Sequence, residues 1–435
     1  MAATDGFRRS CAHVALLALG SATSSGCILF FHTEAGGDGG SAGAAQVSVT
    51  GGSGGQGPGA GGQGTTGGSA PCPNPVVKEV ATFPSIAELP DPFTFQDGTR
   101  VTSPNDWDRR RAEISARVQQ FQYGPYPPSP SSVTGALSGT TLTVTVEYGG
   151  KTISFTATVS LPSGSGPFPA YVGFASATFP APIDAGTLTA RGIASIAYDP
   201  SQLSGDGTGY RGVGKFYDLY GTAFKAGALM AWAWGVHRIV DALAQLGGFD
   251  ATKVAVQGFS RWGKAALVTG ALDPRIALTV VSSSGAGGVG SWRDAESVGS
   301  SVQTLSEIAA EANWFVQDFG QNFGCRVKSL PFDGHSIVAL VAPRPILVTE
   351  GSQDTWNNPK GCFNSVWAAR EVFEYLGVPD RLGFRSSPTS HAFSADEKTA
   401  ALTFMDRFLL GQAVDTNVFD QTFPVDPNAA PWSAP

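Results

Sequence analysis

The sequence predicts one large α/β domain with a mostly parallel central sheet, and three observations carry that reading. From Val77 onward, short runs rich in β-branched residues alternate with helical patterns, as βαβ crossovers require. The apolar share is an ordinary 42% although only 14% of residues are charged, so the 435-residue chain has surface enough for a sizeable core and is no disordered acidic or basic tail. Glycine is unevenly spread: 16 of 56 fall between Gly36 and Gly68, which places the folded part later in the chain.

Arg8 and Arg9 precede a short apolar stretch, Val14 to Leu19, and small residues up to Ser25-Gly26-Cys27, the layout of a secretory signal over residues 1–27. No segment reaches the ~18 apolar residues of a spanning helix. Cys27 suits the lipid-bearing cysteine of a bacterial lipoprotein signal, with Ser24 where such signals usually carry an aliphatic residue. A secreted or cell-surface protein is expected, with a lipid anchor at Cys27 as one form of it. Residues 28–75 repeat Gly-Gly-Gln/Ser with few apolar side chains, cannot offset their ordering entropy by burial, and read as a tether. Residues 76–420 form the domain and 421–435 a tail. Once Cys11 and Cys27 are assigned to the signal, Cys72, Cys325 and Cys362 remain. A Cys325–Cys362 disulfide with Cys72 free is expected, although spacing alone does not fix the pairing. Net charge is −7 with no basic stripe, which excludes nucleic acid as a partner, and a monomer is expected.

Within the domain, Trp107 to Phe121 has apolar residues at helical spacing and stops at Tyr-Gly-Pro-Tyr-Pro-Pro. Thr140 to Tyr148 and Thr152 to Val159 alternate around Gly149-Gly150 as a hairpin near the sheet edge. Ala170 to Phe174 and Ala194 to Tyr198 are short buried strands, and Ala226 to Gly247 is apolar on more than one face, as a central helix would be. Lys253 to Gln257 is a strand ending at Gly258.

At Gly258-Phe259-Ser260-Arg261-Trp262-Gly263-Lys264, a serine follows a buried strand and precedes a helix, the context of a nucleophile elbow. Such a turn presents the serine oxygen at the helix N-terminus, where the Arg261 N–H can stabilise an oxyanion. Gly-x-Ser alone is weak in a glycine-rich chain, and Trp262 stands where the common motif has its second glycine. A serine nucleophile needs a base. Of five histidines, His13 and His32 lie in the signal and tether, His237 sits in the apolar helix as a core residue, and His335 comes too early in the chain. His391 lies between the last strand (Arg381 to Ser386) and the C-terminal helix (Asp396 to Leu410) and is the candidate base. Ile346 to Val348 is a buried strand running on to Asp354, the preferred acid. Asp333 is its rival and reads equally as a helix cap. The order Ser260, Asp354, His391 is that of the α/β-hydrolases and predicts their three-layer sandwich.

The elbow resembles that of the glucuronoyl esterases, carbohydrate esterase family 15, which reads G-x-S-R-x-G-K. Further segments look like family segments in family order: Leu89 to Phe93, Tyr123-Gly124-Pro125, Ala231 to Gly235, Ser284 to Gly287, Trp292-Arg293, Gln303-Thr304, Ser306 to Ile308, Asn313-Trp314-Phe315, Leu330 to His335 and Ala342-Pro343-Arg344. The match spans residues 85 to 410, and the bacterial members are the nearest type. The resemblance implies hydrolysis of the ester between 4-O-methyl-glucuronic acid of xylan and a lignin alcohol, on a glucuronoxylan or lignin-carbohydrate substrate. It also implies an oxyanion role for the Arg261 guanidinium and a glucuronate pocket of Lys264, Gln303, Glu311 and Trp356. Read without the family, these four are a solvated lysine, a core tryptophan and surface polar groups.

Two departures stand out. Many members carry a catalytic glutamate in a segment ending Glu-Ser-Gly, where this chain has Ser283 before Ser284-Gly285, so the acid must come from elsewhere, as from Asp354. The cysteines that flank the serine and histidine in fungal members are replaced in the neighbourhood of Phe259 and Phe393. No metal or cofactor is expected, since neither H-E-x-x-H nor G-x-G-x-x-G after a first strand occurs. Alternative readings are an acetyl or other uronate esterase, and a carbohydrate-binding surface lipoprotein that has lost catalysis.

Overall fold

A computed structural model describes residues 72–299, 301–426 and 430–435. The secretory signal, Cys27, His13, His32 and nearly all of the tether lie outside them. Nine strands form one sheet in the order β1-β2-β3-β5-β4-β6-β7-β8-β9. β1 (Ser132–Ser138), β2 (Thr141–Tyr148) and β3 (Lys151–Ser160) run antiparallel, and β3 pairs antiparallel with β5 (Ala194–Tyr198). From there β4 (Phe168–Phe174), β6 (Phe249–Phe259), β7 (Ile276–Ser282), β8 (Ile346–Gly351) and β9 (Leu382–Ser387) are parallel. β1 was not foreseen, because its serine, threonine and glycine residues give little apolar alternation in the sequence; it forms the outermost strand, beside the predicted hairpin near the sheet edge.

Alternate strand residues feed two cores, which makes the three layers of an α/β-hydrolase. Val254, Val256, Val281, Ile346 and Val348 join helices Pro104–Val118, Ala228–Leu243, Arg261–Leu272 and Pro359–Tyr375 on one face. Ala255, Leu278, Val280 and Leu347 meet helix Ala395–Phe408 on the other. Helix Ala228–Leu243 is buried at every position but Asp241, the outcome expected of a helix apolar all round. The first long helix starts earlier than its apolar pattern, at a capping box between Ser103 and Asp106, and ends in a π turn over Gln119–Tyr123.

The expected Cys325–Cys362 disulfide is not formed. Cys72 is bonded to Cys325 with a Cα–Cα distance of 5.9 Å, while Cys362 is a free thiol buried in helix Pro359–Tyr375. Its apolar helical position, facing the core, is where a small apolar residue belongs. Residues of the C-terminal segment also pack on the domain: Phe423 lies 6.0 Å from Phe363, and Trp432 stacks on His335 at 5.5 Å. No helix among the described residues is long and apolar enough to cross a membrane.

Candidate active site

β6 runs into helix Arg261–Leu272 through a single residue, Ser260, at φ 61° and ψ −126°. A non-glycine residue held there stores local strain, which the close packing around it maintains. A Cβ on Gly258 would lie 2.0 Å from the Trp262 carbonyl oxygen, and one on Gly263 2.5 Å from that of Ser282. Both glycines are therefore required for the helix to approach the sheet. The second falls one position later than in the common elbow because it is at Gly263 that the helix touches β7. Trp262 is half-buried, edge-on to Phe179 with ring centroids 6.4 Å apart.

Ser260, Asp354 and His391 follow β6, β8 and β9, at the carboxyl ends of parallel strands where open α/β sheets place their sites. His391 Nδ1 lies 2.5 Å from Asp354 Oδ2, and Nε2 lies 2.9 Å from Ser260 Oγ. The carboxylate only accepts, so Nδ1 carries the proton and Nε2 is left to accept from the serine. Asn357 Nδ2, 3.2 Å from Nδ1, is then a neighbouring donor whose proton goes to the Ser283 carbonyl at 2.7 Å. The Phe259 ring packs on the imidazole at 4.7 Å. Such a chain of hydrogen bonds can remove the serine proton as its oxygen attacks a carbonyl, and the first N–H groups of the helix, which lack intrahelical acceptors, can donate to a developing oxyanion.

The other two histidines among the described residues, His237 and His335, are structural. His237 contacts the Tyr126 hydroxyl at 2.8 Å and donates to the Thr269 carbonyl at 3.0 Å, and burial lowers its pKa to about 4. His335 donates to the Pro90 carbonyl at 2.8 Å. Asp333 is buried and saturated, accepting from the N–H groups of Trp292 (2.7 Å) and Gly334 (2.8 Å) and from the Arg293 guanidinium (3.0 Å). It caps helix Gly334–Ala339 and does not touch His391.

Of the four residues read as a sugar pocket, three meet directly. Gln303 Nε2 donates to Glu311 Oε2 at 3.1 Å, and the Gln303 backbone N–H donates to the Trp356 carbonyl at 3.1 Å. Trp356, 45% exposed, stands two residues beyond Asp354, so the acid loop also carries the aromatic face. Lys264 is buried, its ammonium 2.5 Å from the Ser284 carbonyl and 5.4 Å from the centre of the Trp314 ring. Burial lowers its pKa to about 8. The Arg261 guanidinium pairs with Asp206. Sequence reading passed over Asn357, Asp206 and Glu350, a buried carboxyl at the end of β8. A Gly-Asp-Gly turn and a residue inside Asp-Thr-Trp-Asn carry no local signal for them.

Sheet order, elbow and the Ser260–His391–Asp354 contacts define an α/β-hydrolase with a serine-histidine-carboxylate arrangement. A family model described as glucuronyl esterase of fungi matches residues 144–377. The 4-O-methyl-glucuronoyl methylesterase of Hypocrea jecorina is 40% identical over 361 residues, covering 81% of this chain and 76% of that protein. Among solved structures, a serine-to-alanine mutant of the Sporotrichum thermophile glucuronoyl esterase, in complex with methyl 4-O-methyl-β-D-glucopyranuronate, is 38% identical with a TM-score of 0.74, covering 80% of this chain and 95% of that one. A carbohydrate esterase family 15 glucuronoyl esterase from Caldicellulosiruptor kristjansonii is 38% identical with a TM-score of 0.72, covering 82% and 99%. The chain belongs to the glucuronoyl esterase family.

Proposed function

We propose that this protein is a glucuronoyl esterase that hydrolyses the ester between (4-O-methyl-)glucuronic acid of xylan and a lignin alcohol. The observation that carries the reading is the unbroken line of hydrogen bonds from Ser260 on its strained turn through His391 to Asp354. Ser260 Oγ attacks the uronoyl carbonyl as His391 Nε2 takes its proton. The carbonyl oxygen becomes an oxyanion held by the Arg261 N–H and guanidinium. The alcohol leaves with the proton from His391, and water then repeats the sequence on the acyl-enzyme. Lys264, Gln303 and Glu311 hydrogen-bond the sugar hydroxyls, and Trp356 lies along the pyranose face. Export of the protein is supported by the Arg8-Arg9 leader and by the Cys72–Cys325 disulfide, a bond that persists in oxidising compartments. Mass spectrometry of the mature N-terminus separates a lipid-bearing Cys27 from a free one.

The test is hydrolysis of benzyl glucuronate with the free acid quantified, for the wild type beside Ser260→Ala. Release by the wild type, reduced on the order of 10⁴-fold or more in the variant, is the expected result. No release by folded wild type, with activity confined to acetyl esters or absent, overturns the reading.

A further inference from the structure

Arg261 is half-exposed, with 47% of its side chain open to solvent, and a long side chain in that setting has many rotamers. Its guanidinium has one hydrogen-bonding partner among the described residues, Asp206. Asp206 lies in the loop after β5, and that loop is clamped from several sides. The Asn313 side chain donates to the Gly205 carbonyl at 3.0 Å and accepts from the Gly207 N–H at 3.1 Å, gripping the backbone on both sides of the aspartate. The Trp314 indole N–H donates to Asp206 Oδ1 at 2.7 Å, and the Trp232 indole donates to the Ser204 carbonyl at 2.7 Å. One carboxylate oxygen is thereby fixed by Trp314, and the other is presented to Arg261. The same indole ring lies 5.8 Å from the Arg261 guanidinium and 5.4 Å from the Lys264 ammonium, so both cations share one aromatic wall.

From this we infer that Asp206 is the positioning residue of the oxyanion site: it holds the Arg261 guanidinium in place beside Ser260. The inference rests on the esterase reading only for Arg261 as an oxyanion donor. Two physical effects of the aspartate oppose each other. Its negative charge weakens the field of Arg261, whereas its hydrogen bond fixes the direction of that field. At a half-exposed pair the charge is screened, so orientation dominates and removing the carboxylate slows the reaction. Asp206→Asn keeps an oxygen for Trp314 and loses the charge-assisted bond to Arg261. It is compared with the wild type, Arg261→Ala and the double variant in two reactions. One is turnover of benzyl glucuronate. The other is the single-turnover reaction with diethyl p-nitrophenyl phosphate, in which Ser260 Oγ bonds to phosphorus and p-nitrophenolate leaves, and which needs no sugar pocket. The expected result is about a tenfold fall in kcat and in the phosphorylation rate with KM little changed, and less than a twofold further effect in the Arg261→Ala background. A faster reaction, an unchanged one, or an equal loss in the Arg261→Ala background overturns the inference; the last marks a merely structural loop. Should wild type be phosphorylated yet leave benzyl glucuronate intact, the substrate reading fails while the phosphorylation rates still decide the role of Asp206.

Discussion

The two parts of the candidate site are built in opposite ways. At the serine end, three side chains sit on short loops directly after parallel strands β6, β8 and β9, and contacts of 2.9 and 2.5 Å join them. At the end proposed for the sugar, Gln303 and Glu311 come from the long connection between β7 and β8, Trp356 is 45% exposed, and the two contacts of Gln303 are longer, at 3.1 Å. Proton transfer tolerates little displacement and needs a rigid frame, whereas a sugar bound through several hydroxyls can lose one contact and stay bound. In the proposed reading the strand ends hold the chemistry, and the recognition is spread over the insertion, the acid loop at Trp356 and the elbow helix at Lys264.

The contrast breaks first at Asp354. Asp354→Asn leaves the volume but reverses the imidazole tautomer, and kcat on benzyl glucuronate is expected to fall on the order of 10³-fold with KM little changed, as steady-state kinetics will record. A loss below tenfold would mean that another carboxyl serves His391. Lys264→Met comes next: it keeps the apolar stem and removes the ammonium, so kcat/KM for the glucuronate ester is expected to fall about tenfold to a hundredfold while phosphorylation of Ser260 by diethyl p-nitrophenyl phosphate stays within about twofold. Equal losses in both reactions would move Lys264 to the serine end. Trp356→Ala removes one exposed face, worth about 1 kcal/mol, and should raise KM roughly fivefold at unchanged kcat. A drop in kcat instead would show that this loop's main duty is to hold Asp354.

The same division separates what the sequence discloses from what it conceals. Ser260, Asp354 and His391 each lie next to an element whose pattern is plain, a buried strand before the first two and a strand and amphipathic helix around the third, so chain order alone places them at the carboxyl ends of parallel strands. Gln303, Glu311 and Lys264 have no such marker; only the family resemblance separates them from ordinary polar residues. Asp206 and Asn357 escape both routes, because their partners are brought to them by tertiary packing from distant segments. The disulfide escapes for a related reason. Cys325 lies nearer to Cys362 in sequence, yet Cys362 is buried in helix Pro359–Tyr375 and Cys72 arrives from the end of the segment read as a tether.

Glu350 joins the two ends and gives the smallest expected effect. The Ser284 backbone donates its N–H to Glu350 Oε1 at 3.3 Å and accepts from Lys264 at 2.5 Å through its carbonyl, so one residue's backbone bridges a buried acid and a buried base. Burial lifts the Glu350 carboxyl from 4.5 to about 8, with Asp354 and Glu397 adding to the rise. Between those values the folded protein holds a proton that the unfolded chain has released, so stability falls as pH rises from 4.5 to 8 and the loss is constant above. Lys264, lowered from 10.5 to about 8, acts in the adjoining window: there the unfolded chain holds the extra proton, and stability rises with pH. Glu350→Gln keeps an acceptor for Ser284 and removes the first slope alone. Its melting temperature is expected to match the wild type at pH 4.5 and to exceed it by about 2–4 °C at pH 8, with no further gain to pH 9. A difference that is flat with pH would show that the carboxyl is not held neutral by its surroundings.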